Sequence, residues 1–112
     1  EYMDDVFTYY EQQSSALLGY ELPQVLLIHA NRLNAHVIDE LTAMVRGRGY
    51  EFVSLEEALI DPAYGSADEF TGAGGITWLH RWALTAGHHG EFFAGEPELA
   101  EFVHEAYRDR PR

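Results

Sequence analysis

The sequence contains no cysteine, which excludes a disulfide framework, a thiolate zinc site and a cysteine nucleophile. Lysine is absent too. All seven basic side chains are arginine, set against nineteen carboxylates, and the formal charge is -12. A surface of that sign repels phosphate backbones and anionic lipid, so nucleic-acid binding and a membrane-surface role are disfavoured. No basic stripe with interleaved aromatics offsets this charge. No apolar run approaches the roughly 20 residues of a membrane span, so no span is expected. No signal-peptide pattern opens the chain, and its first residue is Glu1 rather than Met, which suggests a piece of a longer protein. Internal repeats and low-complexity tracts are also missing.

What is present is apolar and bulky. Of the 112 residues 46% are hydrophobic, with 2 Trp, 7 Tyr and 6 Phe, the composition of an ordered globular chain that builds a single core. From Tyr2 to Leu18 the residues Met3, Val6, Phe7, Tyr10 and Leu17 recur at helical spacing, and Gly19 follows as a stop. After Pro23 the run Gln24-Val25-Leu26-Leu27-Ile28-His29 reads as a strand buried on both faces of a parallel sheet. Asn34 is the expected cap of a second helix, with Val37, Ile38, Leu41 and Val45 inward and an end near Gly47 and Gly49. Tyr50-Glu51-Phe52-Val53 is expected as a second short strand. Ser54 and Glu57 form a capping-box pattern for a brief helix ending near Asp61 and Pro62.

Ala63 to Gly75 is loop-like, rich in glycine. Thr77 is the expected cap of a helix to Ala86, on which Trp78, Leu79 and Trp82 share an inward face, with Gly87 as the stop. A last helix is expected from Pro97 to Tyr107, with Leu99, Phe102, Val103 and Ala106 inward and Arg108 near its negative end. The fold class expected from this order is α/β, helix-rich, with about two parallel strands. Two strands and one connecting helix make a single βαβ unit, which lacks neighbours and cover. The chain is therefore expected to pair with further sheet from a larger protein or to self-associate, and an exposed apolar edge would be the symptom.

His29 carries the strongest chemical signal, because the carboxyl end of a buried strand is where α/β folds place working side chains. Imidazole, with an ordinary pKa of about 6.5, holds or releases a proton near neutrality and suits a general acid. A strand-end histidine bonded to backbone is the plain structural alternative. Among the other histidines, His36 and His104 are expected to be solvated, and the adjacent His88 and His89 are not spaced to share one metal. An independent metal site using His29 with His80 is a weaker possibility. Trp78 and Trp82, one turn apart, suit either a core or a platform for a sugar ring.

Val25-Leu26-Leu27-Ile28-His29-Ala30-Asn31 resembles the last motif of the polysaccharide deacetylase family, carbohydrate esterase family four, in which a Leu-x-His sequence ends a barrel strand. The region Leu41 to Leu59, with Arg48-Gly49-Tyr50-Glu51-Phe52-Val53-Ser54-Leu55-Glu56-Glu57-Ala58-Leu59, is similar to the family's closing helix, strand and helix. Gly75-Ile76-Thr77-Trp78-Leu79-His80-Arg81-Trp82 looks like a terminal segment of one bacterial subgroup. The similarity spans most of residues 1–112. It implies the C-terminal portion of a distorted (β/α) barrel, with His29 as catalytic acid, Leu27 lining the pocket for the acetyl methyl group and Asn31 at its mouth. It further implies an acetylated polysaccharide as substrate (chitin, peptidoglycan or acetylated xylan) and a secreted or periplasmic parent. The family's divalent metal, commonly zinc, is held by an Asp of a Thr-Phe-Asp-Asp type motif and by the two His of an His-x-x-x-His type motif, and neither motif occurs here. The metal ligands and the general base are thus expected in a missing N-terminal part of the same protein, and the chain alone is expected to be inactive. The alternative is a non-catalytic carbohydrate-binding or assembly module using Trp78 and Trp82.

Overall fold

A computed structural model describes residues 1–109. Its elements are α1 (Tyr2–Leu18), α2 (Arg32–Gly47), α3 (Leu55–Ala58), α4 (Trp78–Thr85) and α5 (Glu101–Arg108), with 3₁₀ turns at Pro62–Gly65 and Gly90–Phe93. Among the described residues there is no strand. The expected α/β class, with parallel strands forming the closing portion of a (β/α) barrel, is therefore replaced by a helical fold.

The reason lies in the two segments read as strands. Val25, Leu26, Leu27 and Ile28 are 45, 45, 87 and 40% exposed, and Phe52 and Val53 are 56 and 49% exposed. A β-branched and leucine run favours extended backbone, and residues 24–28 carry no helix, but a strand becomes stable only through ladder partners and cover. Neither is supplied among the described residues. The apolar edge expected of an incomplete sheet is thus present, without the sheet. The radius of gyration, 15.8 Å, agrees with this loose shape, since a compact domain of about 100 residues has one of about 13 Å.

Helix α1 is the organising element, lying between α2 and α4. Asp4 and Asp5 favour its positive end, and Gly19 closes it in the left-handed conformation (φ 81°), donating its N–H to Ser15 O at 2.9 Å. Contact on two sides widens its buried face. Phe7, Tyr9, Gln13 and Ser14 are buried, while Met3, Val6, Tyr10 and Leu17 from the expected stripe are half-buried. The core is Leu22, Ala63, Leu79 and Trp82, with Tyr10, Leu17, Leu18 and Tyr64 against it.

The chain reversal after α1 is fixed by Ser14, whose hydroxyl donates to Tyr20 O at 2.8 Å and accepts from the Leu22 N–H at 3.0 Å. Tyr64 donates to Pro23 O at 2.5 Å and Tyr20 to Asp61 at 2.5 Å, tying this turn to the Pro62–Gly65 segment. Asp61 in turn accepts from the Ala63 N–H at 2.9 Å.

Helix α2 begins earlier than expected. Asn31, not Asn34, is its cap, accepting from the Asn34 N–H at 2.8 Å. Of the residues expected inward on α2, Val45 is buried and Val37, Ile38 and Leu41 are half-buried. Its far end is pinned to α1 by Arg48, which reaches Asp4 at 2.5 Å, Thr8 at 3.0 Å and, closest of all, Glu11. Tyr50 adds a hydrogen bond to Glu11 at 2.5 Å and an edge contact to Phe7 at 5.5 Å.

Ser54 caps α3 as its sequence pattern predicts, accepting from the Glu57 N–H at 3.1 Å. Thr77 does the same for α4, accepting from the His80 N–H at 3.3 Å. Helix α5 starts at Glu101 rather than Pro97. It lies against little: Phe102 is 71% exposed, Leu99 and Ala106 are exposed and Val103 is half-buried, so its expected inward face meets no core.

Candidate functional site

His29 is exposed, three positions before α2 begins, on an open depression shared with Ile28, Asn31, Arg32, Asn34 and Ile38. Its backbone is held tightly. The His29 carbonyl accepts from the Asn31 N–H at 3.0 Å and from Asn34 Nδ2 at 2.7 Å, while the Asn31 side chain caps the helix. The ring itself makes no hydrogen bond among the described residues, so both nitrogens face the depression or solvent. A helix start, rather than a strand end, therefore positions this imidazole.

Leu27 is placed elsewhere. It is 87% exposed and lines a second concavity, so the structure does not gather Leu27 and His29 around one opening. Asn31 lines the same depression as His29, with its side-chain oxygen occupied by the helix cap.

The second concavity is an apolar cleft of about 600 Å³ bounded by α1, α4 and the extended segment, with Tyr10, Gln24, Leu27, Tyr64, Trp78 and Trp82 in its wall. That volume falls within the range of small-molecule pockets, about 300–1,000 Å³. Trp82 is core, 4% exposed and edge-on to Tyr64 at 5.5 Å. Trp78 departs from the expected inward face: it is 55% exposed, with the Arg81 guanidinium over its ring at 5.3 Å. Arg81 is itself held by Asp68 at 2.8 Å and lies over Phe70 at 5.0 Å. The side-chain nitrogen of Gln24 is buried at the cleft without a partner, a donor that a bound carbonyl or hydroxyl would satisfy.

His80 belongs to neither concavity. It is 7% exposed, beneath α1 and the 90–93 turn, with ring contacts to Tyr9 at 5.8 Å, Tyr10 at 5.4 Å and Phe93 at 4.9 Å. Tyr9 donates to Phe93 O at 2.8 Å, so its contact with His80 Nε2 at 3.2 Å has the imidazole donating and the phenol accepting. Burial pushes the His80 pKa below the ordinary imidazole value, opposed by the negative charge of Glu96. The same burial raises the Tyr9 and Tyr10 hydroxyls, each helped by Glu96.

A shared metal site of His29 and His80 is thereby removed: one ring is exposed at the start of α2 and the other enclosed by α1, α4 and the 90–93 turn. Among the described residues no three His, Cys, Asp or Glu side chains come together to hold an ion. The residues present thus do not fit the divalent metal that the resemblance implies.

The buried cluster of Tyr9, Gln13 and His80 was missed in the sequence. A signal exists in the helical spacing, since His80 lies three positions before Ala83, and Tyr9 four before Gln13, so each pair flanks a buried stripe. His36 and His104 are exposed as expected; His88 stacks on Phe92 at 4.3 Å. No helix of the described residues is long and apolar enough to cross a membrane. Comparison with protein-family models, with curated proteins and with solved structures gives no match to this chain.

Proposed function

We propose that this chain contributes a proton-donating histidine, His29, to a hydrolase that removes acetyl groups from a polysaccharide. The supporting observation is the placement of its ring: exposed on a depression, with the backbone beneath it locked by Asn31 and Asn34, directly after Leu27-Ile28. A fixed main chain and an open imidazole are what a general acid needs to meet a leaving amine or alcohol. Arg32 and Asn34 on the same depression offer donors to sugar hydroxyls. Any divalent metal and the general base of this reaction come from polypeptide outside these residues.

The test is acetate release from acetylated chito- or xylo-oligomers by the complete protein carrying this chain, with divalent metal present. His29→Ala should lower turnover by about 10²–10⁴-fold, the usual contribution of general acid–base catalysis. Unchanged turnover removes His29 from the mechanism. The 112 residues alone should release no acetate.

A second reading, a carbohydrate-binding module, is favoured by the half-open indole of Trp78 in the same cleft as the unpartnered side-chain nitrogen of Gln24. Titration of the chain with chitin or xylan oligomers, read by tryptophan fluorescence, separates the two. Binding that Trp78→Ala abolishes and His29→Ala leaves intact supports the module.

A further inference from the structure

Residues 87–96 form a strap across the flank of α1 and α4. The left-handed conformations of Gly87 (φ 94°) and Gly95 (φ 89°) turn the chain at its two ends, a geometry that side-chain-bearing residues adopt at a cost. Between them the strap is latched to α1 by side chains on successive turns: Tyr9 donates to Phe93 O at 2.8 Å, Gln13 Nε2 to Phe92 O at 2.8 Å, and Tyr10 to Glu96 at 2.7 Å. His80 of α4 supports the same latch from beneath, through its bond to Tyr9 and its edge contact with Phe93.

We propose that this strap is a proton-operated clip, latched at neutral pH and released on acidification by protonation of His80, and that its release frees the Tyr10 wall of the aromatic cleft. The imidazolium would keep its Nε2–H bond to Tyr9, so protonation acts on the latch through the buried charge alone. With Nε2–H committed to the Tyr9 oxygen, the second nitrogen is bare, and a proton added there places a charge among Tyr9, Tyr10 and Phe93. From α1 the groups facing His80 are the two tyrosines; from the strap they are the Phe93 ring and, across Tyr10, the Glu96 carboxylate. Glu96 accepts from Tyr10 and its charge favours the imidazolium, an effect that the burial of His80 outweighs. On α4 itself the neighbouring cation Arg81 is turned away to Asp68. Burial lowers the proton affinity of His80, which places the release below the ordinary imidazole range. Tyr10 couples the two sites, since its hydroxyl holds Glu96 while its ring lines the cleft.

The experiment follows backbone amide resonances of the strap (Phe92, Phe93, Ala94) and of α2 (Val37, Leu41, Val45) from about pH 8 to about pH 4.5, spanning imidazole titration. In the wild type the strap amides should shift with one midpoint below 6.5 while the α2 amides hold. In His80→Gln, which keeps a donor for Tyr9, that midpoint should vanish. Should His80→Gln fail to fold, Tyr9→Phe serves instead, and its strap amides should stand at the released positions already at about pH 8. The proposal is overturned if the strap amides do not move, if His80→Gln titrates like the wild type, if α2 melts in the same step, or if the strap amides of Tyr9→Phe match the wild type. It is equally overturned if Glu96→Gln or His88→Gln removes the transition while His80→Gln retains it.

Discussion

The guanidinium of Arg48 meets the carboxylate of Asp4 at 2.5 Å, joining the end of α2 to the first turn of α1 across 44 positions of sequence. Glu11 closes on the same guanidinium from about two helical turns further along, and its second oxygen takes the Tyr50 hydroxyl. The Arg48 side chain is 19% exposed and that of Glu11 18%, so water screens this group only in part. The pairing holds the Arg48 pKa above its ordinary value, Glu11 contributing most.

Arg48→Ala should therefore cost roughly 1–3 kcal/mol, because Glu11 loses its cation while remaining half-buried. Arg48→Lys should recover only part of this, since one ammonium cannot span Asp4, Thr8 and Glu11 as a planar fork does. The midpoint of urea denaturation measures both, and an unchanged midpoint for Arg48→Ala would show that α1 and α2 hold together without the charges.

Ser14→Ala should cost about 1–3 kcal/mol although the change removes a single oxygen. Ser14 is 0% exposed and its hydroxyl serves both the Tyr20 carbonyl and the Leu22 N–H, so its loss leaves the buried Leu22 N–H without its side-chain partner. Restoration by Ser14→Thr, read in the same denaturation experiment, would separate the hydrogen bonds from simple loss of volume.

The stability of the chain should fall on acidification through His80. Its folded pKa lies below the unfolded value near 6.5, so the unfolded state binds more protons in the interval between the two. The contribution is fully present above 6.5, is lost as pH drops toward the folded pKa, and stays level below it. His80→Gln should flatten this slope. Denaturation midpoints at several pH values test it, and equal slopes for the two proteins would refute the assignment.

Leu27→Ser should leave the stability of the isolated chain within about 0.5 kcal/mol, since the side chain is 87% exposed and has little packing to lose. The same change should suppress self-association driven by the Val25–Ile28 patch, as seen in sedimentation or light scattering. A loss of several kcal/mol in the isolated chain would mean that Leu27 is buried in solution.

Helix positions were legible where the signal is local. The apolar spacing of 2–18, the glycine at 19, and the caps Ser54 and Thr77 all act within a few residues, and each is found in place. Asn34 misled because Asn31 satisfies the same rule three positions earlier, and the earlier residue is the one the structure uses. The inward face of Trp78 misled because a helix of 8 residues covers its flank only when another element lies there. The surroundings of His29 were not legible: the depression it lines depends on how α2 starts, and Leu27 faces a different hollow.

By itself the sequence determined the acidic surface, the exclusion of thiol chemistry and the main helix starts and stops, because charge, composition and capping need no distant partner. Only the tertiary structure decided that Val25–Ile28 stays unpaired and that His80 is enclosed while His29 is open. Ladder pairing and burial are properties of what lies opposite a residue, and for these segments what lies opposite is set by the docking of α1 against α2 and α4.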